Sequence, residues 1–387
     1  MNSIKNIDKQ YVANTYNRFP VEIVNGKGSY VYDETGKEYI DMASGIAVTS
    51  FGIADEVWKN AIIEQLNKVQ HMSNLYYTEP CALLAQKLCA KTGMAKVFFC
   101  NSGAEANEGA IKVARKYAAD HKGPEYSTII TMKNSFHGRT LTTLAATGQE
   151  HYHELFQPLT PGFIHADIND LAGLKKMVEE NKVAAIMLEV IQGEGGVIEL
   201  DKDFIEGINT LAKEKDIIII IDEVQTGNGR TGKLYGYMHY AIQPDVVSTA
   251  KGIGGGLPLG AVLMSEKVEN VLGYGDHGST FGGNPIACAG ANTIIDRLSD
   301  EFLQEVEKKG NYIKKSLENA EGVISISGKG LILGIKTVKP ASEVVKTCME
   351  NGVLVITAKD KVRLLPALNI PMEALEKAVE VIKNAIK

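Results

Sequence analysis

Residues 217–221 are five consecutive isoleucines, and they run directly into Asp222. A strand alternates its side chains between two faces, so a run with no polar position at either parity needs cover on both sides. A mostly parallel sheet with helices on each face gives that cover, which predicts a large α/β domain. Further apolar runs at 97–100, 128–132, 184–189, 246–250 and 261–264 supply neighbouring strands. Between them, Ala106, Ala110, Val113, Ala114 and Tyr117 recur at helical spacing, as do Phe204, Ile208 and Leu211. That periodicity predicts helices over 102–121 and 203–214, each burying one stripe on the sheet.

The two ends read differently. Residues 30–32 and 37–40 predict a hairpin through Asp33-Glu34-Thr35-Gly36, and 323–327, 331–336, 353–356 and 362–365 predict a C-terminal run of strands. Pro371 opens a final helix with Leu375, Ala378, Val379, Ile382 and Ile386 on one face. We expect 1–50 to be the N-terminal part of a smaller domain, 51–284 the large α/β domain, and 285–387 the C-terminal α+β part of the smaller one.

Charge and composition narrow the functions open to the chain. Lysine and arginine number 41 against 47 acidic residues, a net charge of −6, with no basic block longer than a pair. This argues against a nucleic-acid or anionic membrane surface. Long uncharged stretches such as 278–295 are broken by Gly, Asn and Pro, so no spanning helix is expected. Lys5, Asp8 and Lys9 leave no apolar core for a secretory signal, so the mature chain is expected to start near Met1 in the cytoplasm. The five cysteines, 81, 89, 100, 288 and 348, show no C-x-x-C spacing and read as buried thiols in a reducing compartment. His151, His153, His71, His137 and His277 form no metal-binding spacing, so no metal is expected. No G-x-S-x-G elbow supports a serine hydrolase.

Several stretches could carry chemistry. Gly227, Gly229 and Gly232 satisfy G-x-G-x-x-G, which would suit a dinucleotide-dependent oxidoreductase. However, Glu223 to Thr226 separate the loop from its strand, and Leu234 follows Lys233 where a P-loop needs Ser or Thr. A better phosphate candidate is Asn101-Ser102-Gly103-Ala104-Glu105, where Ser102 and Glu105 form a capping box. The free N–H groups and positive dipole of that helix start suit an anion, although a plain capped helix would look the same. Asp222 ends the isoleucine strand, at the sheet edge where open α/β folds bind ligands. Lys251 ends the 246–250 run and precedes Gly252-Ile253-Gly254-Gly255-Gly256. An amine so placed is either a nucleophile toward aldehydes or the partner of a strand-edge carboxylate.

Taken together, NSGAEAN from Asn101, FHGRT from Phe136, EVIQGEGG from Glu189, IDEVQTGNGRTG from Ile221, STAKGIGGG from Ser248 and GSTFGGNP from Gly278 resemble the class III pyridoxal-phosphate aminotransferases in order and spacing. SNLYYTEP from Ser73 and GKEYIDMASGIAV from Gly36 look most like the members that act on N-acetylornithine. The resemblance implies the aspartate-aminotransferase-like fold (fold type I) and a homodimer with shared sites. It also implies transfer of the terminal amino group of acetylornithine to 2-oxoglutarate, in arginine biosynthesis. Ornithine, succinylornithine, succinyldiaminopimelate and 4-aminobutyrate are the alternative donors within the family.

By the same resemblance, Lys251 would bond pyridoxal 5'-phosphate and shuttle the proton, while Asp222 would pair with the pyridine nitrogen. Ser102, Gly103 and Ala104 would hold the phosphate, Phe136 would stack on the ring, and Gln225 would sit near its hydroxyl. Thr280 would reach the neighbouring subunit's phosphate, with Ser279 beside the substrate. Arg139 would clamp a substrate carboxylate and Arg363 a second one, with Glu194 able to neutralise Arg363 between half-reactions. The chain departs from the family pattern at Gly52-Ile53-Ala54-Asp55 and at Asn228, where an apolar residue is expected.

Overall fold

The isoleucine strand divides its side chains between two separate cores. Ile217, Ile219 and Ile221 pack into one apolar cluster with Phe204, Ile208 and Leu211, whereas Ile218 and Ile220 join another with Ala106, Ala110, Val113 and Tyr117. Helices Lys202–Lys215 and Gly103–His121 thus cover opposite faces of the same sheet, as the unbroken apolar run requires. Each fully buried isoleucine contributes about 1.5–3 kcal/mol relative to exposure. The computed structural model describes residues 4–387, so the expected start near Met1 lies outside the described residues.

The sheet has seven strands, ordered Lys96–Cys100, Gly260–Met264, Val246–Thr249, Ile218–Asp222, Val183–Leu188, Thr128–Met132 and Phe163–Ala166. Gly260–Met264 runs antiparallel to both of its neighbours, and the other pairings are parallel. Phe163–Ala166 was not expected. It is an edge strand whose Phe163, Ile164 and His165 are only partly buried, so no apolar run marks it.

The expected hairpin forms as Tyr30–Asp33 against Glu38–Asp41, extended by Ile23–Lys27 on one side. On the other side Val353–Leu354 joins it in parallel, so both ends of the chain share one sheet. The apolar run expected as one strand over 353–356 therefore splits, because Ile356–Ala358 pairs with Lys361–Leu364 in a different sheet. Pro371 takes the N-cap position of the last helix, Met372–Ile386, whose buried face includes the expected Leu375, Ala378, Val379, Ile382 and Ile386. Among the described residues no helix is long and apolar enough to cross a membrane.

The unexpected Asp55 has a structural task. Its side chain accepts from Trp58 N at 2.9 Å, capping helix Glu56–Leu66, and pairs with both terminal nitrogens of Arg297 at 2.9 and 3.0 Å. The Arg297 guanidinium lies 3.8 Å from the Phe51 ring centroid, so the ion pair is packed as well as charged.

Candidate active site

A cavity of about 540 Å³ opens at the carboxyl ends of the sheet strands and gathers Ser102, Gly103, Ala104, Phe136, Arg139, Asp222, Gln225 and Lys251. These residues come from four of the quoted motifs, between Ser102 and Lys251, and parallel topology explains their meeting. Every strand that runs forward delivers the loop after it to the same edge.

The helix start at Ser102, Gly103 and Ala104 faces the cavity. Ser102 Oγ accepts from Glu105 N at 3.2 Å, the first half of the expected capping box. The return half differs, because Glu105 bonds Asn101 N and Asn101 Nδ2 instead of the Ser102 backbone. A Cβ at Gly103 would come within 2.6 Å of Val224 Cγ1, so this position has room for no larger side chain beside the cavity.

Asp222 is buried and multiply bonded. Its Oδ2 accepts from Asn107 Nδ2 at 2.7 Å and lies 2.8 Å from His137 Nδ1, and its Oδ1 accepts from Val224 N at 2.9 Å. Asn107 also donates to His137 O at 2.7 Å, which fixes the two partners to each other. Asn107, His137 and Glu189 all line the cavity and were not singled out from the sequence as site residues. Their bonds to Asp222 and to the Phe136 backbone span dozens of residues, so no local pattern reports them. Glu189 accepts from Phe136 N at 3.0 Å, and burial pushes its carboxyl up to about 7. Tyr16, from the N-terminal segment, also lines the cavity.

Lys251 has φ of 51°, a left-handed backbone that a lysine adopts only when its surroundings enforce it. Asn228, itself at φ 57°, is buried beside it and donates to Ala250 O at 3.2 Å and Thr249 Oγ1 at 3.0 Å. Asparagine tolerates this conformation better than the apolar residue expected there. Burial lowers the Lys251 pKa below that of an ordinary lysine, against the opposing pull of Glu194 and Asp222.

A second cluster adjoins Gln225. Arg363 donates to Glu194 Oε1 at 2.7 Å, to Glu194 Oε2 at 3.3 Å and to Gln225 Oε1 at 3.0 Å. Burial alone would raise the Glu194 carboxyl, and the Arg363 charge overcomes it, leaving the pKa low. Arg363 Nε is buried without a partner among the described residues. Arg139 extends over the Tyr152 ring, 4.5 Å from its centroid.

Ser279 touches this site through Asn101 Nδ2, at 3.2 Å from its Oγ. Thr280 does not; it is exposed and lies with His71, Ser73 and Asn74 around a separate depression. The Gly227–Gly232 loop is interior rather than open to a nucleotide. Arg230 within it is fully buried and donates to Leu331 O and Pro366 O, and a Cβ at Gly227 would lie 2.6 Å from Glu223 O. Among the described residues no group of His, Cys, Asp or Glu could hold a metal ion.

The donor set suits one kind of ligand: a buried amine of lowered pKa for an aldehyde, a fixed carboxylate for a cationic ring nitrogen, an aromatic face, and a helix start for a phosphate. The chain matches the family described as aminotransferase class-III over residues 11–386. It is 49% identical over 385 residues to an acetylornithine aminotransferase of Haemophilus ducreyi, covering 99% of this chain and 98% of that one. It is 45% identical to an acetylornithine aminotransferase of Aquifex aeolicus, covering 97% of this chain and all of the relative. Among solved structures, an acetylornithine aminotransferase from Elizabethkingia anophelis superposes with a TM-score of 0.88 at 35% identity, covering 98% and 97% of the two chains. An ornithine aminotransferase from Toxoplasma gondii superposes with a TM-score of 0.94 at 31% identity, covering 100% and 95%. With agreement in both sequence and fold along almost its entire length, the chain belongs to the class-III aminotransferases, enzymes that work with pyridoxal phosphate.

Proposed function

We propose that the protein transfers the terminal amino group of N-acetylornithine to 2-oxoglutarate, giving N-acetylglutamate 5-semialdehyde and glutamate, as a step of arginine biosynthesis. The observation that carries this reading is the Arg363–Glu194 pair at 2.7 Å beside the Lys251 cavity, because two unlike substrates must use one site in turn. The full-length relatives bearing the acetylornithine name support the choice of donor.

Pyridoxal phosphate, when bound, supplies an aldehyde that accepts an amino group and a ring that withdraws electrons from the carbon carrying it. The chain's own residues supply everything else. Lys251 would hold the cofactor's aldehyde and would move a proton on the substrate carbon; its lowered pKa keeps a larger neutral fraction for that task. Asp222, oriented by His137 and Asn107, would hold a proton at the ring nitrogen. Phe136 would cover the ring, Gln225 would face its hydroxyl, and Ser102, Gly103 and Ala104 would bind the phosphate at the helix start.

Arg139 binds the substrate carboxylate distant from the reacting amine as a planar, two-donor clamp. With glutamate or 2-oxoglutarate the α-carboxylate takes Arg363 from Glu194, and with acetylornithine Glu194 keeps it. Ser279 would sit beside the substrate and Thr280 would reach the cofactor phosphate of a neighbouring subunit in a homodimer. In this reading the large cofactor-binding domain is 51–284, with 1–50 and 285–387 forming the small one, and the enzyme is cytoplasmic.

A panel of amino donors assayed with 2-oxoglutarate tests the substrate. N-acetylornithine should give the highest kcat/KM, and a higher value with ornithine, succinylornithine, succinyldiaminopimelate or 4-aminobutyrate would replace it as the donor.

A further inference from the structure

The Gly227–Gly232 loop is braced from within and from outside. Gly227 N donates to Glu223 O at 2.9 Å, Gly229 N to Leu234 O at 3.1 Å and Arg230 N to Gly227 O at 3.3 Å. Arg230 anchors the loop to Leu331 O and Pro366 O. From this mount the Asn228 side chain, itself buried, reaches the turn that carries Lys251. Ala250 O can only accept, so it is Asn228 Nδ2 that faces it. Asn228 Oδ1 is left buried without a partner among the described residues, a cost that the expected apolar residue would not carry.

We propose that Asn228 is a positioning residue for Lys251: its amide pins the peptide ahead of the lysine and so sets the direction in which the amine enters the cavity. The inference rests on the proposed role of Lys251 in holding the cofactor. It also gives the glycine loop a task, as the rigid mount of that amide.

Two peptide planes meet at the Lys251 Cα, and together they fix where its Cβ points. The plane after the lysine is held through Lys251 O, which accepts from Gly254 N at 2.9 Å. Later in the turn Ser50 Oγ donates to Gly252 O at 3.3 Å, and Trp58 Nε1 donates to Gly254 O at 3.1 Å. The plane ahead is held through Ala250 O. Ile253 N also donates to that oxygen, at 3.3 Å, but it belongs to the same turn and moves with it. Asn228 reaches in from a different stretch of chain and ties the plane to the braced loop.

Backbone strain makes the tether matter. Lys251 at φ 51° gains by leaving the left-handed region, and that gain is comparable with the net worth of one hydrogen bond. With the amide in place the turn keeps its shape; without it the plane ahead of Lys251 can rotate, and the amine loses its aim. Loop and turn are close enough for this control, since a Cβ at Gly252 would lie 3.2 Å from Asn228 Cβ.

The test compares wild type with Asn228→Gly, which keeps left-handed freedom at 228 but lacks the amide, and with Asn228→Ala, which lacks both. Cofactor-free protein is mixed with pyridoxal phosphate, its capture is followed by visible absorbance, and the end point is reduced with borohydride and mapped by peptide mass. Asn228→Gly should fill Lys251 completely but about two- to tenfold more slowly than wild type, the equivalent of one neutral hydrogen bond. Asn228→Ala should be at least as slow. In turnover, kcat of Asn228→Gly should fall with KM unchanged, and a donor deuterated at the amine-bearing carbon should show a larger isotope effect than in wild type. A merely structural residue would lower the active fraction and leave the capture rate and the isotope effect where they were. Wild-type capture and isotope effect in Asn228→Gly would overturn the proposal, leaving 228 with a backbone requirement alone. The capture experiment does not depend on the amino donor; borohydride labelling of wild type at another lysine would instead bring down the assignment of Lys251, and the proposal with it.

Discussion

Arg363 is buried and donates both terminal nitrogens to Glu194, at 2.7 and 3.3 Å, while Glu194 remains partly open. The open partner can turn away and the closed one cannot. Arg363→Ala should therefore impair the glutamate half-reaction by about 1.5–3 kcal/mol, the value of a charged hydrogen bond. Single-turnover spectroscopy with each donor measures this. Equal losses with glutamate and acetylornithine would refute the exchange, and a loss confined to acetylornithine would mean that Arg139 and Arg363 have each other's roles.

Asp222→Ala should lower kcat by about 3–4 kcal/mol while leaving most of the cofactor bound, because the helix-start contacts remain. Asn107→Leu should have a smaller effect of the same kind, since Asp222 loses one of its two side-chain donors. Turnover and bound cofactor, measured on the same samples, separate the two quantities. Near wild-type turnover in Asp222→Ala would make it a structural strand-end acid.

Lys251→Met should reduce turnover by at least about 10²–10⁴, the contribution of a positioned proton carrier. Borohydride reduction of the wild-type enzyme should place the pyridoxyl group on Lys251 by peptide mass mapping. Its effect on stability runs the other way. The folded pKa of Lys251 is lowered by burial, so the unfolded chain binds more protons between that value and the ordinary lysine value of 10.5. Cofactor-free wild type loses stability as pH falls through this window, and Lys251→Met should not. The Tm advantage of the variant should thus be greatest near neutrality and shrink above the ordinary lysine range. A Tm difference independent of pH would contradict the buried-amine account.

Asp55→Ala removes a helix cap and leaves Arg297 without its carboxylate. The cap alone is worth about 0.5–2 kcal/mol. Urea denaturation should register a loss at least that large, with kcat unchanged, because Asp55 is not among the residues that line the cavity. A fall in kcat without loss of stability would assign the Gly52-Ile53-Ala54-Asp55 departure to the active site.

The core strands and the motif residues were legible because each signal is local. Unbroken apolar runs mark strands buried on both faces, and Lys251 and Asp222 stand at the ends of two such runs. Phe163–Ala166 escaped because an edge strand needs no such run. His137 and Asn107 escaped for another reason: they reach Asp222 across 85 and 115 residues of chain, a separation at which only tertiary packing brings side chains together. Asn228 was visible only as an oddity, and its purpose appears with the left-handed backbone that it shares with Lys251.

The isoleucine strand has one more consequence. Because residues 217–221 are chemically identical, sliding the strand by one place against Val183–Leu188 or Val246–Thr249 would exchange one isoleucine for another and cost the apolar interior almost nothing. Ordinary strands are kept in frame by their pattern of greasy and wet positions. Here that ruler has no markings until Asp222, whose carboxylate meets His137 and Asn107 in one frame only. The acid assigned to the chemistry is thereby also the peg on which the central strand hangs.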